Sequence, residues 1–389
     1  MRIAITAATI LLAACSTVPE TRVPPAAVAV AFDRDEVSPV IVEGLADRSS
    51  ARAVSANDPV RIASVSKLVM ALAALRLVDE GKVALDDNVS TYLGWQVRHP
   101  GYPDAPVTLA QVLMHRSGLR DDAGYVIALG ESLEEKLAMP EAWYPGAPPG
   151  DAPFEYANLG SPLVATVLEA ASGERYDRLV ERTVFAPLGI TACLNWIGCS
   201  QGFADDAVTL YRSTGDIARD DASDRPPHCT IPIAEAMPCN LDNYVPGSNA
   251  SIFSPQGGVR IGMMDLARLG QAILRSDSRL LTAQGFARLK EHVPPSPGNA
   301  PHFCFYGLAL QTLYPGLEGC SDNLFPDTAR RMGHAGEAYG LRSGLWIDPV
   351  AGNGLAYFTT AVPDRTVPEE GGFAAEEIEL VRRAMQAGE

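Results

Sequence analysis

Lysine is nearly absent from this chain. Of 31 basic residues only Lys67, Lys82, Lys136 and Lys290 are lysines. Positive charge falls short of negative, 31 against 47, which leaves a net charge of −16 at pH 7. A chain this acidic argues against nucleic-acid binding, which needs a basic surface. The seven cysteines never fall in a Cys-x-x-Cys spacing. His228 adjoins Cys229 and His302 lies two residues before Cys304, but without that spacing we expect no metal, and no cofactor either. No segment repeats at a fixed period, so a solenoid or propeller is not expected. The apolar run over residues 3–14 is too short to span a bilayer.

What the chain does contain is ample apolar material. Hydrophobic residues make up 47% of 389 and charged residues 20%, a composition that buries a large core. The short apolar run follows Arg2 and ends in Leu12-Ala13-Ala14-Cys15-Ser16. This segment reads as a targeting signal over residues 1–14. It resembles the lipobox of bacterial lipoproteins, which implies cleavage before Cys15 and lipidation of that residue. Ser16 after the cysteine is similar to signals sorted to the outer membrane. A lipid-anchored, periplasm-facing protein is therefore expected, with residues 15–26, rich in Pro, Thr and Ser, as its tether. Removing Cys15 leaves six cysteines in three close pairs: Cys193 with Cys199, Cys229 with Cys239, and Cys304 with Cys320. Fifteen connectivities are open to six cysteines; local pairing in an oxidising compartment is the expected one.

Lysine scarcity makes one position informative. Residues 61–81 carry no charge between Lys67 and Arg76, and their apolar residues leave no polar face. They predict a helix buried on nearly all sides, stopped near Gly81. Ser64 opens it and Lys67 follows one turn later on the same face. A hydroxyl at a helix start gains free backbone N–H groups, and a neighbouring amine takes its proton if that amine is desolvated enough to be neutral. Guanidinium cannot do this, so an arginine-rich chain that keeps lysine here points to chemistry.

Elsewhere the patterns are plainer. Residues 27–32 and 40–42 read as strand, turn, strand. Thr108 and Gln111 fit a capping box for a short helix that ends near His115, which reads as a structural hydrogen-bonder. Residues 141–158 are dense in Pro, Gly and aromatics and form a long shaped loop. Helices are expected near residues 163–171, 176–184 and 265–274, and residues 190–260 are irregular. Strands return at 306–313, 341–347 and 355–360, the last two joined by a turn over 348–354, and an amphipathic helix closes the chain. The fold class is α+β: an antiparallel sheet built from both chain ends, about 27–105 and 300–389, with a mainly helical insertion over about 106–299. Gly198-Cys199-Ser200-Gln201-Gly202 matches a nucleophile-elbow pattern, but it lacks the strand and helix that an elbow needs.

Acyl transfer also needs a second proton shuttle and donors for an oxyanion. Tyr156-Ala157-Asn158 and His334-Ala335-Gly336 supply candidates. With Ser64-Val65-Ser66-Lys67, these motifs stand in the order and at the distances of the class C β-lactamase-like serine hydrolases, and the chain resembles that family over about residues 26–385. The segment from Leu113 to Leu119 and Pro187-Leu188-Gly189 add to the likeness. The family includes D-alanyl-D-alanine carboxypeptidases, D-aminopeptidases and esterases. The resemblance implies that Ser64 attacks a carbonyl, that Lys67 and Tyr156 share the proton and titrate as a pair, and that Tyr156 serves the leaving group. It also implies that Asn158 meets a substrate amide and that the N–H groups of Ser64 and Glu337 form the oxyanion hole. Where most class C β-lactamases carry Lys-Thr-Gly, this chain has His334-Ala335-Gly336. That departure weakens a β-lactam as substrate and favours a peptide or an ester. The expected activity is hydrolysis, through an acyl-enzyme, of a D-amino-acid peptide of the cell envelope. The alternatives are an esterase, a β-lactamase, or a non-catalytic peptidoglycan-binding lipoprotein. The sequence leaves the oligomeric state open.

Overall fold

A computed structural model describes residues 25–293, 304–320, 322–363 and 372–388. The expected signal and Cys15 lie outside those residues, as does His302. The main sheet grows from the chain's first strand. In β1 (Ala27–Asp33), Val28, Val30 and Phe32 enter one core while Ala27 and Ala29 enter another. Side chains alternate across a strand, so a strand apolar at both parities must be covered on both faces. β1 hydrogen-bonds β2 (Val37–Glu43) on one side. On the other it meets β8 (Asn353–Thr359), pairing Ala27 with Thr359. The remaining strands are β3 (His292–Val293), β4 (Phe305–Gly307), β5 (Gln311–Leu313), β6 (Arg331–Ala338) and β7 (Leu341–Asp348). The order is β3-β4-β5-β6-β7-β8-β1-β2, and every pairing is antiparallel.

Helix α1 (Val65–Asp79) carries twelve buried residues of fifteen, as its lack of a polar face requires. It packs between the sheet and the helical part, touching β6, β7 and helix α3 (Gly160–Ser172). Gly81, at φ 67°, ends the helix in the left-handed turn glycine permits. Helix α2 (Leu109–Leu113) opens on the expected capping box, with Thr108 Oγ1 accepting from the Gln111 N–H at 3.2 Å and Gln111 Oε1 accepting from the Thr108 N–H at 3.0 Å. Helix α5 (Ala375–Ala387) covers the second face of the sheet, and Tyr357 Oη donates to its buried Glu377 at 2.6 Å.

Three details depart from expectation. Helix α4 (Met263–Arg275), placed in the insertion by the sequence boundaries, lies on the sheet against β1 and β8. Its Gly270 has no room for a Cβ, which would strike Phe32 and Leu345. The run over 306–313 is two strands, because Ala309 turns left-handed at φ 49° and the Gly307 N–H bonds Leu310 O. Within the irregular region, Ala192–Leu194 and Val259–Ile261 join Val60–Arg61 in a three-stranded sheet. That sheet anchors the segment leading to Ser64. The three local disulfides, Cys193–Cys199, Cys229–Cys239 and Cys304–Cys320, are all formed.

Candidate active site

Ser64 stands at the start of α1, immediately after Ala63, whose φ of 45° is a left-handed conformation that costs an alanine of order 1 kcal/mol. The kink brings the serine to the wall of a cavity of about 910 Å³ between sheet and helical part. The Ser64 side chain makes no capping bond, so its hydroxyl is free for other partners, and its N–H sits where a helix has none to bond.

Lys67 is 1% exposed. Its Nζ lies 3.2 Å from Ser64 Oγ, 2.8 Å from Asn158 Oδ1 and 3.4 Å from Gln256 O. Burial lowers its pKa to about 7, against the pull of Asp121 in the other direction. Two of the three neighbours can only accept. The Gln256 atom is a carbonyl. The Asn158 amide is oriented by Asp121, whose Oδ2 accepts from Asn158 Nδ2 at 2.9 Å. When the ammonium loses a proton, its two remaining N–H bonds stay on those acceptors, and the lone pair faces the Ser64 hydroxyl. The arrangement therefore aims a base at one alcohol.

Tyr156 shares the site differently from the expected pair. Its ring lies 4.6 Å beneath Lys67 Nζ and its hydroxyl hydrogen-bonds Ser64. Burial pushes the phenol's pKa up, so it stays protonated at neutral pH. The contact with Ser64 pulls that pKa the other way, but burial is the larger effect. Amine and phenol are thus driven apart, one toward a free base and the other toward an acid.

Asn158 is engaged at both ends by Lys67 and Asp121, with one hydrogen and one lone pair still uncommitted. Asp121 also accepts from the Asn158 and Leu159 N–H groups at 2.7 and 2.9 Å. His115 carries a left-handed φ of 55°, and its Nδ1 accepts from the Ala157 N–H at 3.2 Å. It therefore braces the Tyr156 loop, as the sequence reading had it.

His334 is 1% exposed, and burial lowers its pKa to about 3. Its Nδ1 lies 2.6 Å from Ala335 O, so that nitrogen carries the hydrogen. Nε2 then accepts from Tyr306 Oη at 3.0 Å. Both nitrogens are spent, and the imidazole is neutral rather than a clamp for a carboxylate. Gly336 fits where a Cβ would strike Ile62 O, Ala63 and Ser343 Oγ. Its bareness lets β6 lie against the residues preceding Ser64. Pairing of β5 with β6 ends at Gln311–Gly333, so residues 334–338 line the cavity with an edge that has no strand neighbour. Glu337 is exposed there and pairs with Arg342 at 2.7 Å. Ser200 instead caps a five-residue helix, Gln201–Asp205.

Asp121, Gln256, Tyr306 and the strain at Ala63 escaped the sequence. Asp121 is one acid among 47 acidic residues, and the Gln256 contribution is a backbone atom. Only the Gly257-Gly258 pair beside it hinted at close packing.

Over 136 residues the chain is 33% identical to the D-alanyl-D-alanine-carboxypeptidase/endopeptidase AmpH of Escherichia coli (strain K12), covering 34% of this chain and 35% of that protein. It is 31% identical over 186 residues to Esterase EstB of Burkholderia gladioli, covering 43% and 46%. The chain thus spans between a third and a half of the length of these relatives. The octameric penicillin-binding protein homologue from Pyrococcus abyssi superposes with a TM-score of 0.67 at 20% identity, over 94% of this chain and 74% of that one. Residues 12–378 match the family described as Beta-lactamase, and the chain belongs to that family of serine hydrolases.

Proposed function

We propose that the protein hydrolyses an amide at the end of a D-amino-acid peptide of the cell envelope, through an acyl-enzyme on Ser64. The carrying observation is the Lys67 amine, dry and held by two acceptors so that its lone pair meets Ser64 Oγ at 3.2 Å. Ser64 attacks the carbonyl, Lys67 takes its proton, and Tyr156 passes a proton to the leaving amine. The N–H groups of Ser64 and Glu337 receive the oxyanion. Water then repeats the sequence to release the acid.

A peptide is favoured over an ester by the lipobox-like segment, which would hold the protein beside peptidoglycan. The test compares a D-Ala-D-Ala peptide, p-nitrophenyl esters and nitrocefin on the wild-type chain and on Ser64→Ala. The variant is expected to lose both turnover and covalent labelling by a fluorophosphonate. Unchanged turnover refutes the nucleophile, and labelling with turnover of esters alone transfers the reading to an esterase. No labelling, with peptidoglycan still retained, favours the non-catalytic reading.

Placement follows from the same reading. The lipobox-like segment supports attachment at Cys15, facing the periplasm from the outer membrane. Cys15→Ser is expected to move the protein from the membrane fraction to the soluble one; retention in the membrane refutes the anchor.

A further inference from the structure

The neutral His334 leaves the site without a cation where the substrate would need one, and positive charge has gathered elsewhere on the same cavity. Arg61 and Arg260 face each other directly across the small three-stranded sheet. Like charges in register repel, and both side chains are nearly fully buried. Asp220 lies between them, with Oδ1 accepting from Arg260 Nη2 at 2.8 Å and Oδ2 only 3.6 Å from Arg61 Nε. A third arginine, Arg219, adjoins Asp220 in sequence and contacts Asp224 at 3.5 Å.

Three guanidinium groups thus share two carboxylates. Asp220 Oδ1 is already taken by Arg260 and by Trp196 Nε1, and Asp224 Oδ2 by the Asp220 N–H. The contacts of Arg61 and Arg219 with their acids are too long to be hydrogen bonds. Each Nε–H is buried with only that distant carboxylate oxygen before it, and Arg61 spends Nη1 on Gly257 O at 3.0 Å. The crowding is felt: burial and then Arg61 bring the Arg260 guanidinium down to about 9.

Arg61 and Arg219 both line the cavity that holds Ser64. They converge on one ring, with their guanidinium carbons 5.2 and 5.8 Å from the centroid of Tyr339. Tyr339 lies just beyond the end of β6, two residues after Glu337, and Arg61 lies three residues before Ser64. Both arginines therefore border the same cavity as the nucleophile.

We propose that Arg61 and Arg219, gathered on the Tyr339 ring, form the subsite that holds a free carboxylate of the substrate. The inference deepens the hydrolase reading and rests on it. Arginine suits the task because its planar fork binds a carboxylate through two hydrogen bonds while its face stays on an aromatic ring. An incoming carboxylate would supply the missing charge, through those guanidinium N–H groups that face the cavity. Arg219 belongs to the irregular region, so specificity for charge comes from the insertion and not from the strand that carries His334.

Arg61 is buried, and its removal threatens the fold. Arg219 is about one third exposed and makes the cleaner variant. Binding of N-acetyl-D-alanine and of its carboxamide is measured calorimetrically on the full chain, so that no turnover is required. The wild type is expected to bind the acid about tenfold more tightly than the amide, as loss of one charge-assisted contact implies. Arg219→Gln should reduce that ratio to within about twofold, and Arg219→Lys should keep part of it. A ratio unchanged in Arg219→Gln overturns the proposal. So does a wild-type chain that binds both forms alike, or neither. Failure of the hydrolase reading would appear separately, as turnover that survives Ser64→Ala.

Discussion

Replacing Lys67 by methionine is expected to lower kcat by at least about 10³-fold. Methionine fills similar space but offers no basic lone pair, so the Ser64 hydroxyl must attack without passing on its proton. The pH profile gives the sharper reading. With the amine held down to about 7 by burial, the wild-type chain has Lys67 protonated and idle below that pH. Its kcat/KM should rise as the proton leaves and level off above it. The residual rate of Lys67→Met should lack that rising limb. His334 does not contribute to it, since burial keeps its pKa near 3. A loss under tenfold, or the same limb in the variant, would mean that another group is the base.

The second large effect comes from a residue that performs no chemistry. Gly336→Ala should reduce kcat/KM by about 100-fold and destabilise the fold by about 1–3 kcal/mol. The added methyl would meet the Ile62 carbonyl and the Ser343 hydroxyl, which itself donates to that carbonyl at 2.9 Å. Neither can retreat, since both are backbone or pinned to it. The strand must shift away from the residues leading into Ser64, and a displacement of about 1 Å suffices to spoil the alignment of attacking and stabilising groups. Steady-state kinetics with thermal melting separates the two effects. Wild-type kinetics in a destabilised variant would show that the close approach serves packing alone.

Legibility of the sequence followed the range of the interactions. Ser64 and Lys67 could be paired because one helical turn relates them, and the scarcity of lysine marked the choice. The Thr108 capping box and the turn between β7 and β8 are equally local, and both were readable. Strand β6 was not read as a strand. Its Gly333, Gly336 and the charged Arg331 and Glu337 contradict strand preferences, and the glycines are there for contacts with Leu345 on the neighbouring strand and with Ile62 and Ala63 far away in sequence. The division of labour between Lys67 and Tyr156 was also out of reach, because it depends on how dry each group becomes. Asp121 could not be found at all, since its role is to turn one amide over.

The pairing of β1 with β8 also governs how the enzyme comes into being. The first strand waits for a neighbour that the ribosome makes about 320 to 332 residues later, as the register from Asp33–Asn353 to Ala27–Thr359 requires. Until then β1 has only β2 as a hydrogen-bonded neighbour. Contacts so distant along the chain make assembly slow. Closure of the sheet is therefore post-translational: that side of β1 stays open until β8 has left the ribosome.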